Sequence, residues 1–359
     1  MFTNSIPIFQ AAEQSTLNGK PAAIGAFNVN FYTQAQGILE GLRRAEAPGI
    51  IQASRGANSF QGGPLHIAQM LRDAMGISNH KLPVVLHLDH GTREAALECI
   101  ETGFSSVMID ASHFAFDENI SETKLVVEAA HPKQIQVEGE YGTLAGVEED
   151  ISHAETSYAD PQKVVEFFKR SGCDSLAIAY GTSHGPNKGQ NTSKVNTEIV
   201  RLSHEALVKN KMNMDHFLVS HGSSTVPHEM VAEINKYGGK IEKAHGIPMD
   251  RIQEAIKFGV RKVNIDTDLR LGITATFRKY FHDHPRIEQS SELLAKIKKV
   301  LDEKLDAIDP RQYLGVIDIN LLRQDARGTE LEEVMGLVQE TVAKHVEMLC
   351  YKFGAAGLK

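Results

Sequence analysis

Between Pro83 and Asp110 the chain reads PVVLHLDHGTREAALECIETGFSSVMID, and the order of elements in that stretch decides the fold. An apolar run broken only by His87, Asp89 and His90 and closed by Gly91 predicts a buried strand, Pro83 to His90, whose carboxyl end carries ionisable groups. Alternation places His87 and Asp89 on one face. His90 stands where the strand gives way to a loop and can swing toward the same opening. A helix follows, with Thr92 as N-cap and Gly103 as the residue type that accepts a left-handed conformation past its end. Two residues later SSVMIDAS begins the next strand.

The same joint recurs along the chain. LECIETG is followed by SSVMID, FFKRSG by DSLAIA, and AIKFG by RKVNID, so helix, closing glycine, short link and buried strand repeat as one unit. Working outward, strands are expected at Ala23–Asn28, Gly49–Ser54, Pro83–His90, Ser105–Ser112, Gln134–Gly142, Ser175–Ser183, His216–Ser224 and Arg261–Asp268. The helix before the sixth strand has Asp160 as N-cap, Pro161 at its first position and Gly172 past its end. Eight strands alternating with helices predict an α/β fold, a closed (β/α)8 TIM barrel, with a doubly wound open sheet as the alternative. The barrel is favoured because polar residues mark nearly every strand end, where barrel active sites lie, whereas an open sheet gathers its ligands at one switch point. An extra amphipathic helix, Ile6 to Asn18, precedes the first strand. Residues 270–359 read as a helical C-terminal extension of one 359-residue domain, a cap on the barrel or an oligomer interface.

Composition narrows the function classes. A formal charge of -8, with no basic run along one helix, excludes a nucleic-acid partner. The N-terminus lacks a basic segment followed by an apolar one, and no apolar run approaches membrane-spanning length. Both point to a cytoplasmic protein without a membrane partner. Three cysteines, Cys99, Cys173 and Cys350, are odd in number and widely spaced, so neither a disulfide framework nor a zinc knuckle is expected.

His90, His184, in LAIAYGTSHG, and His221, in FLVSHGSS, each end a buried run. Three imidazoles at strand ends make a candidate metal site, since catalytic zinc commonly takes three protein ligands and keeps an open position. The other histidines, His66, His131, His153, His204 and His282 among them, read as surface or hydrogen-bonded core residues. Asp89 beside the metal suits either a base or a partner that orients an imidazole. Asp110, Glu138 and Glu140, on adjacent strands, call for a cation or protons, hence a second metal or a histidine-carboxylate network. Thr143 to Asp160 reads as a mobile acidic lid carrying Glu148 and Glu149, or equally as a solvated loop. Small residues after strands six to eight (GTSHG with Lys188, then HGSS, then NIDTD) suit phosphate held by backbone N–H groups and hydroxyls. No lysine is expected to project into the barrel mouth, because Lys262 is placed at the start of its strand, so imine chemistry is disfavoured.

Together LHLDHG, SSVMIDAS, VEGEYG, GTSHG, SHGSS, NIDTD and DPRQYL resemble the class II, zinc-dependent fructose-bisphosphate aldolases, in order from about Asn28 to Arg311. The resemblance implies His90, His184 and His221 as ligands of one zinc; Asp110 and Glu140 stay candidates for a second metal site, and a monovalent cation is a further candidate cofactor. It implies Asp89 as the acid/base at the cleaved bond, Asn264 as a donor to the charge that develops there, and Glu148 as the lid proton carrier. Glu149 beside it offers the same group, although the run GVEED points to Glu148. Around the dihydroxyacetone phosphate half the resemblance places Gly185, Lys188, Gly222, Ser223, Ser224, Asn264, Asp266 and Thr267, with Asn28 and Ser54 at polar substrate positions. Arg311 is expected at the far phosphate, often from a neighbouring subunit of a homodimer or homotetramer. The segment Pro186-Asn187 departs from the more hydrophobic pair usual before the loop lysine. The expected activity is reversible aldol cleavage of fructose 1,6-bisphosphate in glycolysis and gluconeogenesis, with tagatose or sedoheptulose bisphosphate as alternative substrates. A zinc hydrolase and a non-catalytic phosphosugar-binding barrel are the remaining readings.

Overall fold

Eight parallel strands close on themselves into a barrel. They are β1 (Ile24–Asn28), β2 (Gly49–Ser54), β3 (Val84–Gly91), β4 (Ser106–Ile109), β5 (Gln136–Tyr141), β6 (Ser175–Ile178), β7 (Phe217–Ser220) and β8 (Val260–Ile265). Each pairs with its neighbours in sequence, and β1 pairs with β8 to complete the ring. The computed structural model describes residues 2–143, 146–148, 151–153, 157–183, 195–242 and 244–358. Asp160 caps the helix Pro161–Ser171 through Gln162 N, and Thr92 caps Arg93–Thr102 through Ala95 N. Both helices end as expected on glycines in the left-handed conformation, Gly172 and Gly103. Among the described residues no helix is long and apolar enough to cross a membrane.

The apolar residues of the strands' outer faces and of the surrounding helices form the main core. The barrel's amino end is filled separately. Ile8, Phe9 and Ala12 of the helix Ile6–Leu17 pack with Ile24, Ala26, Ile50, Val85 and Phe217, so the extra N-terminal helix stoppers the bottom of the barrel. Each large apolar side chain removed from water there contributes about 1.5–3 kcal/mol before entropy is counted. The same helix sends down a charge: Glu13 Oε2 accepts from the buried Arg261 Nε at 2.6 Å, and Glu13 Oε1 lies 3.0 Å from His204 Nε2. Beyond β8 the chain continues into the helices Thr267–Asp283, Glu292–Glu303, Pro310–Leu314 and Glu332–Lys352. The last packs along the helix Tyr32–Arg44, where Arg44 and Glu340 pair at 2.7 Å.

Several strands are shorter than expected. β4, β6, β7 and β8 end at Ile109, Ile178, Ser220 and Ile265 rather than running on to Ser112, Ser183, Ser224 and Asp268. Past those ends Ser112 N donates to Asp110 Oδ1, and Asp266 N and Thr267 N donate to Ser224 Oγ. Ser54 begins a short helix, Arg55–Phe60, where a polar loop was expected, because its Oγ accepts from Ala57 N. Within the expected lid, Gly146–Glu148 and Ile151–His153 pair as an antiparallel hairpin.

Candidate active site

A small irregularity in β3 assembles the site. The β3–β4 register slips between Leu88 and Gly91, and His90 there has φ +48, a left-handed conformation uncommon outside glycine. Strict alternation would send His90 outward when Asp89 points inward. The slip turns it back, so both side chains face the carboxyl end of the barrel, a bulge re-aiming a side chain beside a site.

His90 meets His221, which follows β7 on the opposite side of the ring. His221 Nδ1 lies 2.8 Å from His90 Nε2. The outer nitrogen of each ring is taken by a carboxylate: His221 Nε2 lies 2.7 Å from Glu138 Oε1, and His90 Nδ1 lies 3.0 Å from Asp110 Oδ2. With those carboxylates accepting the ring protons, the two facing nitrogens present lone pairs to each other. A proton shared between them, or a metal ion in its place, relieves that repulsion. Burial depresses the His221 pKa, although the Glu138 hydrogen bond opposes it, which favours the neutral ring that a metal needs. Burial works against ionisation of Asp110, but the bonds from His90 and Ser112 outweigh it and hold this carboxyl well below the usual range. Asp89, His90 and His221 offer ligand atoms within 4.8 Å of one another, as do His90, Asp110 and Glu140. The residues therefore fit a divalent metal. His184, Gly185 and Lys188 lie outside the described residues.

Asp89 is held by three amides. Asn28 Nδ2 donates to its Oδ2 at 2.8 Å, Gln52 Nε2 to the same oxygen at 3.0 Å, and Asn264 Nδ2 to Oδ1 at 3.3 Å. Asn264 Nδ2 also lies 3.1 Å from His221 Nε2, so it spans the proposed base and the proposed ligand. Gln52 went unnoticed in the sequence. Its one signal was a polar residue inside the buried run GIIQAS, in register with Asn28 on β1 and His87 on β3.

One layer deeper, the expectation for Lys262 is corrected. Its side chain is buried inside the barrel, where Nζ donates to Glu138 Oε2 at 2.8 Å and to His87 Nε2 at 3.1 Å. Barrel register puts it level with His87 and Glu138, below the mouth. Burial resists ionisation of Glu138, but Lys262 and His221 overcome it and keep the carboxylate charged. Its contact with Glu138 makes Lys262 an anchor for that carboxylate.

The expected phosphate loops after β7 and β8 adjoin one another. Ser224 Oγ accepts from the backbone N–H of Asp266 at 3.2 Å and of Thr267 at 3.1 Å, tying the turn after β7 to the start of the helix after β8. Ser223 Oγ lies 2.5 Å from Ser220 Oγ, and Gly222 precedes it at φ +60. Arg311 ends a charge ladder: Arg270 pairs with Asp266 at 2.6 Å and with Asp309 at 2.8 Å, and Asp309 accepts from Arg311 Nη2 at 2.7 Å. Arg311 also lines a cavity of about 990 Å³ with Arg55, Gly56 and Thr92, beside Ser54 at the end of β2. Glu148 ends the first strand of the hairpin, while Glu149 lies outside the described residues.

The model of the family described as Fructose-bisphosphate aldolase class-II matches residues 8–357. A fructose-bisphosphate aldolase of Giardia intestinalis is 40% identical over 294 residues, 81% of this chain and 82% of that protein. One of Treponema pallidum is 39% identical over 305 residues, 82% of this chain and 86% of that protein. The crystal structure of a fructose-bisphosphate aldolase from Campylobacter jejuni superposes with a TM-score of 0.66 at 22% identity, covering 100% of this chain and 97% of that one, a likeness of fold. The chain belongs to the class II fructose-bisphosphate aldolase family.

Proposed function

We propose that the chain catalyses the reversible aldol cleavage of fructose 1,6-bisphosphate to dihydroxyacetone phosphate and glyceraldehyde 3-phosphate, as a zinc enzyme of glycolysis and gluconeogenesis. The observation that carries the reading is the placement of Asp89 against Asn264 beside the facing nitrogens of His90 and His221. His90, His184 and His221 would hold the zinc, which when bound would supply a Lewis acid for the ketose carbonyl. Asp89, oriented by Asn28, Gln52 and Asn264, accepts the proton of the C4 hydroxyl as the C3–C4 bond breaks. The Asn264 amide donates toward the negative charge that develops on the three-carbon half. Glu148, on the hairpin, returns a proton to the carbon of that half. Asp110 and Glu138 orient His90 and His221 through their outer nitrogens, the arrangement usual for metal-bound histidines. For Asp110 its hydrogen bond to His90 supports this role over that of ligand to a second metal.

Gly222, Ser223, Ser224, Asp266 and Thr267, with Gly185 and Lys188, hold the phosphate of the three-carbon half, and Asn28 and Ser54 border the rest of the sugar. Arg311 binds the far phosphate. The helices after residue 270 serve as a barrel extension, and family membership supports a cytoplasmic homodimer or homotetramer. The test is to incubate the purified protein with fructose, tagatose and sedoheptulose bisphosphates and to measure triose phosphate and inorganic phosphate. Triose phosphate from fructose bisphosphate upholds the reading. Preference for another ketose would reassign the substrate, and release of inorganic phosphate would make the protein a hydrolase.

A further inference from the structure

The turn after β7 is clamped from two sides by residues outside the chemistry. Asp268, in the first turn of the helix Thr267–Asp283, is fully buried. Its Oδ2 accepts from Thr225 N at 3.0 Å and from Thr225 Oγ1 at 2.8 Å, and its Oδ1 accepts from Val226 N at 2.8 Å. Val226 is thereby held at φ +50, a conformation that β-branched residues avoid and that persists only where the surroundings over-determine it. On the other side, a Cβ added to Gly246 would stand 2.0 Å from Thr225 O and 2.1 Å from its carbonyl carbon. Ile247 N beside it donates to Ser224 O at 3.1 Å. Over the carboxylate, His345 of the last helix places Nε2 3.5 Å from Asp268 Oδ2.

An acidic residue in a first helical turn ordinarily needs only the helix dipole to explain it. Asp268 differs because the three donors it accepts from belong to another loop, about 40 residues earlier in the chain. They fix two consecutive residues of the turn that also carries Gly222, Ser223 and Ser224. Ser224 Oγ in turn accepts from Asp266 N and Thr267 N, so the Asp268 carboxylate and the Ser224 hydroxyl together set how the ends of β7 and β8 lie against each other. Groups that bind an anion must be held in place before it arrives, because ordering them on binding costs affinity.

We propose that Asp268 is a positioning residue for the substrate phosphate: it touches neither sugar nor metal, and it holds the turn 222–226 in the shape that receives the phosphate of the three-carbon half. The inference rests on the aldolase reading, in which that turn is a phosphate loop. His221 opens the same turn but is fastened independently by Glu138, so metal retention is expected to survive when the turn shifts.

The test uses the full-length, zinc-loaded protein. In Asp268→Asn one acceptor oxygen is replaced by an NH2 group facing Thr225. KM for fructose 1,6-bisphosphate and Kd for dihydroxyacetone phosphate, measured by calorimetry, should each rise about tenfold. The effect on kcat should stay within about threefold, and zinc content should remain that of the wild type. Gly246→Ala pushes the same turn from the opposite side with Asp268 intact, and Thr225→Val removes one donor. Both should give the same split of KM from kcat, the second more weakly, and they decide the matter if Asp268→Asn does not fold. Folded variants with wild-type KM and Kd, or ones that lose zinc and kcat with KM unmoved, overturn the proposal while the aldolase reading stands. A wild-type protein that neither cleaves the bisphosphate nor binds dihydroxyacetone phosphate overturns both.

Discussion

His90 lies in β3 and His221 follows β7, on opposite sides of the barrel, yet His90 Nε2 and His221 Nδ1 lie 2.8 Å apart with the ring planes at 90°. Asp110 and Glu138 grip the outer nitrogens of the two rings. Removing either grip should loosen the metal without abolishing its binding. Asp110→Asn and Glu138→Gln are each expected to weaken zinc affinity by roughly 10–100-fold, read by competition with a chromogenic chelator. Zinc held as tightly as in the wild type would mean that these carboxylates do not orient the ligands.

Asp89 and Glu148 are assigned different protons, and the two half-reactions separate them. Asp89→Ala should slow cleavage by roughly 10²-fold or more, yet leave measurable exchange of the carbon-bound proton of dihydroxyacetone phosphate with solvent deuterium. Glu148→Ala should depress cleavage and exchange together. Exchange at the wild-type rate in the Glu148 variant would transfer the role to Glu149 or another group.

Arg311 closes the ladder that runs from Asp266 through Arg270 and Asp309, and the proposed function assigns it the far phosphate. Arg311→Ala should mainly raise KM for bisphosphates, by about tenfold or more for a lost charge-assisted phosphate contact. Exchange on dihydroxyacetone phosphate, which lacks the far phosphate, should continue unchanged. Equal effects on both reactions would remove Arg311 from the far-phosphate site.

At the barrel's other end the prediction concerns stability. Burial opposes ionisation of Glu13, but His204, Arg261 and Asn213 outweigh it and hold its carboxyl at about 2 instead of 4.5. A depressed carboxylate stabilises the fold fully above its unfolded value, and that contribution fades as the pH falls toward the folded one. Glu13→Gln leaves Arg261 buried without its partner and should cost about 3–5 kcal/mol at neutral pH. The gap in denaturation midpoint between variant and wild type should narrow from pH 4.5 down to 2. A gap that widened on acidification would contradict the assignment.

The barrel was legible because its repeated helix, glycine and strand joints are local signals, and so were His90 and His221, each ending an apolar run. What the sequence withheld depends on register. Lys262 looked like a residue at the wrong end of its strand, and only its pairing with Ile24 and Val219 brings it level with Glu138 and His87. Gln52 was one polar residue in a buried run until β1 and β3 placed Asn28 and Asp89 beside it. Glu13 and Arg261 lie 248 positions apart, beyond any spacing rule. The helix Arg55–Phe60 has 6 residues, too few for a helical period to emerge.

The central claim, that a single metal ion between His90 and His221 makes this barrel an aldolase, is tested most directly by adding zinc back to chelator-treated protein while following cleavage of fructose 1,6-bisphosphate. Activity should be lost on chelation, rise in proportion to added zinc, and level off at about one ion per chain, the count expected of one catalytic site. Full cleavage by the metal-stripped protein, or none at any zinc ratio, would contradict it.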